Sequence, residues 1–133
     1  MKKLVPQIRF TAKVVKGLGR GRQLGIPTVN LDHLVVKNLR EGIYVCRVFF
    51  PSASQDLAFW GVLHYGPRPT FGESDKTLEV YLLDFDKEVS VPGELDIEIH
   101  SYIRRVMKFK NPQAMLEAIN KDIKSARALA FST

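Results

Sequence analysis

Alternation of apolar and polar positions runs through most of the first hundred residues, and that period belongs to half-buried β-strands. Ile8 to Val15 reads as one strand, and Ile43-Tyr44-Val45-Cys46-Arg47-Val48-Phe49-Phe50 as another. Leu57 to Tyr65 and Thr77 to Phe85 follow, both rich in β-branched and aromatic types. Glu94 to His100 sets Leu95, Ile97 and Ile99 on one face and its charges on the other. Turn residues separate the runs: Glu41-Gly42, Pro51-Ser52, Gly66-Pro67, Gly72-Glu73-Ser74-Asp75 and Val91-Pro92-Gly93. Short strands at this spacing predict an antiparallel barrel or sandwich.

The period then changes. Asn111-Pro112 predicts a helix start, with a side-chain cap followed by proline at the first helical position. Met115, Leu116, Ile119, Ile123 and Ala126 fall on one face at helical spacing. That face is expected to pack on the outside of the barrel or to close one end. No repeat, linker or low-complexity tract divides the chain, so residues 1–133 read as one domain.

Composition adds little to the fold but something to the partners. The chain is 45% hydrophobic and 26% charged, ordinary for a globular protein. Its 20 basic and 14 acidic residues leave a net charge of +6, which favours anionic partners without choosing among nucleotides, nucleic acid and lipid head groups. The single cysteine, Cys46, permits no internal disulfide and fits a reducing cytoplasm. The basic start Met1-Lys2-Lys3 has no apolar run behind it, and no stretch is long enough to span a membrane. His33, His64 and His100 lie far apart with no metal-ligand spacing, which favours structural or surface roles.

The chemistry concentrates between Gly17 and Asn30. Gly17, Gly19, Gly21 and Gly25 allow a backbone to close around a ligand and expose its N–H groups. Arg20 and Arg22 add fork-shaped donors that suit phosphate. Thr28 and Asn30, at the end of Pro27-Thr28-Val29-Asn30, offer oxygen ligands for a hard cation such as Mg2+. A dinucleotide fingerprint would need glycine where Arg22 stands and a helix afterwards, which Pro27 opposes. A Walker loop would end in Gly-Lys-Ser/Thr, absent here.

These residues resemble the riboflavin kinases of bacteria and eukaryotes, whose signature is Gly-x-Gly-Arg-Gly-x-x-Leu-Gly-Ile/Phe-Pro-Thr-x-Asn. The resemblance extends through Gly42-Ile43-Tyr44, Arg68-Pro69-Thr70-Phe71, Leu78-Glu79-Val80-Tyr81-Leu82-Leu83-Asp84-Phe85, Arg104, Lys108-Phe109 and Asp122 to Ala126, in order and over nearly the whole chain. It implies a six-stranded antiparallel Greek-key barrel with a C-terminal helix packed outside. It implies transfer of the ATP γ-phosphoryl to the ribityl 5′-hydroxyl of riboflavin, with FMN as product, and neither nucleic acid nor membrane as partner. Thr28 and Asn30 would hold the magnesium–nucleotide pair, the Gly17 to Gly25 loop would cover the phosphates, and Arg104 and Phe109 would build the flavin side. Glu79 would be the general base. Alternation puts Glu79 on one face with Tyr81, Leu83 and Phe85, apolar company that would favour its work as a base.

Many bacterial members are the C-terminal half of a longer protein that also adenylylates FMN. This chain, carrying only the kinase part, is expected to make FMN and not FAD, whether it stands alone or is a piece of such a protein. Two other functions compete with the kinase. A nucleic-acid-binding small barrel would fit the charge, but no strand interleaves aromatic and basic residues as a stacking platform does. A non-catalytic flavin-binding regulator would have had no need to keep Thr28, Asn30 and Glu79.

Overall fold

The pairing of strands puts two chemically different surfaces on one sheet. The structure, a computed structural model, describes residues 8–16, 28–51, 57–86 and 89–132. Its strands are β1 (Ile8–Lys13), β2 (Val29–Leu31), β3 (Gly42–Phe50), β4 (Leu57–Arg68), β5 (Glu73–Leu82) and β6 (Glu94–Arg104). A long helix, α1 (Pro112–Ser132), follows them. All neighbours are antiparallel, in the order β1-β6-β3-β4-β5-β2. Because β3, β4 and β5 form a meander and β6 returns beside β3, the topology is a Greek key. The two edges meet at a bridge between Val14 and Leu31. There the Val15 N–H donates to the Asn30 carbonyl at 2.8 Å and the Asp32 N–H to the Lys13 carbonyl at 2.9 Å. The bridge pins the two edges of the curled sheet together over this short stretch. The alternation therefore located five strands, and β2, only three residues long, completes the sixth position.

The inner face is a continuous apolar core. Tyr44, Cys46, Val48 and Phe50 of β3 meet Leu63 and Tyr65 of β4, Leu78, Val80 and Leu82 of β5, and Leu95, Ile97 and Ile99 of β6. Cys46 has no exposed surface, and burial pushes its thiol well up from its ordinary value. The outer face is apolar only in part. Ile43, Val45, Val62 and Leu83 pack there against Ala126 of α1, with Ile123 and Leu129 beside it. The helix thus lies outside the barrel, as expected. Its start is capped as the sequence predicts: the Ala114 N–H donates to Asn111 Oδ1 at 2.9 Å.

One expectation about faces is corrected. Phe85 does not share the surface of Glu79. Strand β5 ends at Leu82, and the chain turns through Asp84 at φ 57°. The turn breaks the alternation, and the Phe85 ring packs on Phe59 and Phe50 of the inner cluster at 5.4 and 6.1 Å.

Candidate active site

Residues directly opposite each other in antiparallel strands point to the same face, so the register defines rows across a sheet. One such row runs across the outer face. Asn30 of β2 stands opposite Glu79 of β5, and Glu79 stands opposite His64 of β4. His64 faces Ile43 of β3, and Ile43 faces Arg104 of β6. This row floors a cleft. Its walls come from the turn at Pro69–Phe71, the segment 105–110 and the first turns of α1. Thr28, Arg68, Thr70, Tyr81, Phe109, Met115 and Ile119 line it together with Glu79, His64 and Arg104.

Glu79 is 6% exposed, a low value for a carboxylate. Arg68 compensates its charge. The Arg68 Nε–H donates to Glu79 Oε2 at 2.6 Å, and Arg68 Nη2 pairs with the same oxygen. The Thr77 hydroxyl also donates to Oε2, at 3.3 Å, while contacting the Gly66 carbonyl at 3.2 Å. Arg68 reaches Glu79 across an irregularity: the β4–β5 register slips between Gly66 and Arg68, where Gly66 has φ 134°. Only glycine adopts that backbone readily, and a Cβ there would meet Val106 Cγ2 at 3.0 Å.

His64 is the neutral member of the row. Burial, reinforced by Arg68 and Arg104, lowers its imidazole to about 3, so it carries no charge near neutrality. Its Nε2–H donates to the Gly66 carbonyl at 2.9 Å.

At the other end, Arg104 grips α1. Its Nε and Nη2 donate to the Asp122 carboxylate at 2.8 to 3.2 Å, and Nη1 donates to the Arg105 carbonyl at 3.1 Å. Asp122 is 3% exposed, and burial raises it from the usual carboxylate range despite the guanidinium. The Arg104 guanidinium also lies 5.4 Å from the centre of the Phe109 ring. The Phe109 N–H donates to the Thr70 hydroxyl at 3.0 Å, which ties the wall to the Arg68-Pro69-Thr70-Phe71 turn.

Thr28 and Glu79 therefore share one cleft with Arg104 and Phe109, while Asn30 neighbours Glu79 in the ladder. Gly17, Gly19, Arg20, Gly21, Arg22 and Gly25 lie outside the described residues. Oxygen donors of the Thr28 and Asn30 type suit a hard divalent cation that keeps phosphate and water oxygens in its shell. Among the described residues no group of three His, Cys, Asp or Glu side chains could hold a metal unaided. Sequence reasoning missed His64, Arg68 and Asp122 as site residues. Arg68 was legible as part of a motif. The ladder register that aligns His64 with Glu79 was not.

The family model described as riboflavin kinase matches residues 4–130. A human protein named riboflavin kinase is 32% identical over 117 residues, covering 86% of this chain and 76% of its own length. A bifunctional riboflavin kinase/FMN adenylyltransferase of Pseudomonas fluorescens is 36% identical over 124 residues, covering 92% of this chain but 38% of its own length. The chain spans less than half the length of the bacterial relatives first matched. A solved riboflavin kinase structure from Trypanosoma brucei shares the fold, with a TM-score of 0.60 and 22% identity over 91% of this chain and 78% of that one. Among the described residues no helix is long and apolar enough to cross a membrane.

Proposed function

This chain belongs to the riboflavin kinase family, and we propose that it transfers the γ-phosphoryl of ATP to the ribityl 5′-hydroxyl of riboflavin, giving FMN and ADP. The proposal treats residues 1–133 as one riboflavin kinase domain. The observation that carries it is the setting of Glu79. It is a buried carboxylate at the floor of a cleft, with the oxygen donor Thr28 and the apolar surfaces of Phe109, Tyr81 and Met115 around it.

Phosphoryl transfer asks for positioning, charge neutralisation and a group oriented on the attacking hydroxyl. Glu79 supplies that group and accepts the hydroxyl proton. Thr28 and Asn30 would hold a divalent cation, proposed to be Mg2+, whose charge would neutralise that of the ATP phosphates. Arg20, Arg22 and the backbone of Gly17, Gly19, Gly21 and Gly25 cover the phosphates. Phe109, steadied by Arg104 and Thr70, offers a flat surface on which a flavin ring stacks. Arg104 acts in this way through the wall it braces, since Asp122 occupies its fork. ATP, riboflavin and the lone buried thiol of Cys46 suit a cytoplasmic enzyme.

The test is turnover. Incubation with riboflavin, ATP and Mg2+, followed by chromatography of the flavins, is expected to yield FMN. Absence of an FMN peak would sink the proposal.

A further inference from the structure

Arg68 opens the Arg-Pro-Thr-Phe turn, and unlike Thr70 of the same turn it has no part yet in the phosphoryl-transfer reading. Its contacts are asymmetric. The guanidinium Nε and Nη2 and the Thr77 hydroxyl all engage one carboxylate oxygen of Glu79, Oε2. The other oxygen, Oε1, accepts no hydrogen bond from the described residues. His64, directly across the ladder, directs its Nε2–H to the Gly66 carbonyl and is neutral, so it does not compete for the carboxylate. Arg68 is itself tightly placed. Its side chain is 12% exposed, and it follows the glycine-dependent slip at Gly66.

We infer that Arg68 is a positioning residue: with Thr77 it holds Glu79 by Oε2 so that Oε1 alone faces the acceptor hydroxyl and takes its proton. The inference rests on the kinase reading. In the step it serves, the ribityl oxygen forms a bond to the γ-phosphorus as its proton passes to Oε1. The bond from γ-phosphorus to the bridging oxygen breaks, and its electron pair leaves on the β-phosphate of ADP. Solvent later receives the proton from Oε1. Without the guanidinium, the carboxylate would rotate about its last torsion, and either oxygen would face the substrate in poor alignment. Small misplacements at a reacting centre are costly, about 100-fold for 1 Å.

A double-mutant cycle tests this, with kcat and KM measured for wild type, Arg68→Ala, Glu79→Gln and the pair together. If Arg68 acts through Glu79, Arg68→Ala alone lowers kcat by roughly 10- to 100-fold and leaves KM for ATP within about 2-fold. On the Glu79→Gln background the same change costs less than about 2-fold, because the group it positions is already disabled. Added guanidinium ion restores part of the Arg68→Ala rate, whereas Arg68→Lys, lacking the fork, keeps a fraction of it. Wild-type kcat in Arg68→Ala overturns the inference. So does an equal loss in both backgrounds, or a loss confined to KM for ATP, either of which makes Arg68 a phosphate contact. Arg68→Ala leaves a buried carboxylate unpaired, so folding is checked by circular dichroism. Should that variant not fold, Arg68→Lys in the two backgrounds decides by the same criterion. A wild-type chain that makes no FMN overturns the kinase reading itself, whereas wild-type turnover with an unaffected Arg68→Ala overturns only this inference.

Discussion

Leu78 and Glu79 are neighbours in β5, and both are nearly inaccessible, at 1% and 6%. Burial does not distinguish them; surroundings do. Leu78 points inward, into the apolar cluster that also holds Val80 and Leu63, with Leu31 and Tyr65 opposite it in the ladder. Glu79 points outward, onto a row that includes Asn30, His64 and Arg104. The outer face is covered only partly by α1, and what the helix leaves over becomes a cleft. Strand parity thus separates a core residue from a proposed catalytic one within two consecutive positions. It also explains how a small barrel hosts a site without hollowing its core.

The largest way to test that separation is Glu79→Gln. It is expected to lower kcat by roughly 10²- to 10⁴-fold, the range of a general base, while nucleotide binding persists. Single-turnover FMN formation beside a direct ATP-binding measurement would read it, and a wild-type rate would remove Glu79 from the mechanism. Leu78→Ala should do the reverse. Deleting a core leucine costs about 2–5 kcal/mol in stability, visible as a lower urea midpoint, with kcat per folded molecule close to wild type. If Leu78→Ala lost turnover while keeping its midpoint, the division between the two faces would collapse.

Much of this arrangement was legible in the sequence, for reasons particular to its elements. Period-2 alternation marks strands that are buried on one face, as β1 and β6 are, whereas β3 and β4 are apolar runs buried on both faces and are marked by the turn residues that bound them. Asn111 and Pro112 announce the helix because capping is a local interaction. The Pro27-Thr28-Val29-Asn30 and Leu78 to Phe85 motifs carried the resemblance, and Thr28 and Glu79 do meet in one cleft. What stayed hidden is what depends on register. Nothing local tells that His64 will face Glu79 or that Arg104 will reach Asp122, eighteen residues away on another element. Phe85 misled because alternation was carried past the turn at Asp84, where the strand had already ended.

His64 gives the smallest and most discriminating probe, since it lies on the outer face but is sealed as tightly as the core, at 8% exposed. Glu79 stands opposite it, and Arg68 and Arg104 oppose its protonation, after burial itself. In the unfolded chain a histidine takes a proton below about pH 6.5, but in the fold His64 resists until about 3. The folded state therefore binds fewer protons in this window, and stability falls as pH drops from 6.5 towards 3. Above 6.5 the contribution is constant. One such group gives a slope of about 1.4 kcal/mol per pH unit. His64→Gln keeps a donor for the Gly66 carbonyl and cannot titrate, so its urea midpoint should fall less steeply between pH 6.5 and 4.5 than that of the wild type. Parallel slopes would mean that the imidazole is hydrated and that the cleft floor is open to water. The outer face would then differ from the core in burial as well as in chemistry, and the base proposed at Glu79 would stand in a hydrated cleft.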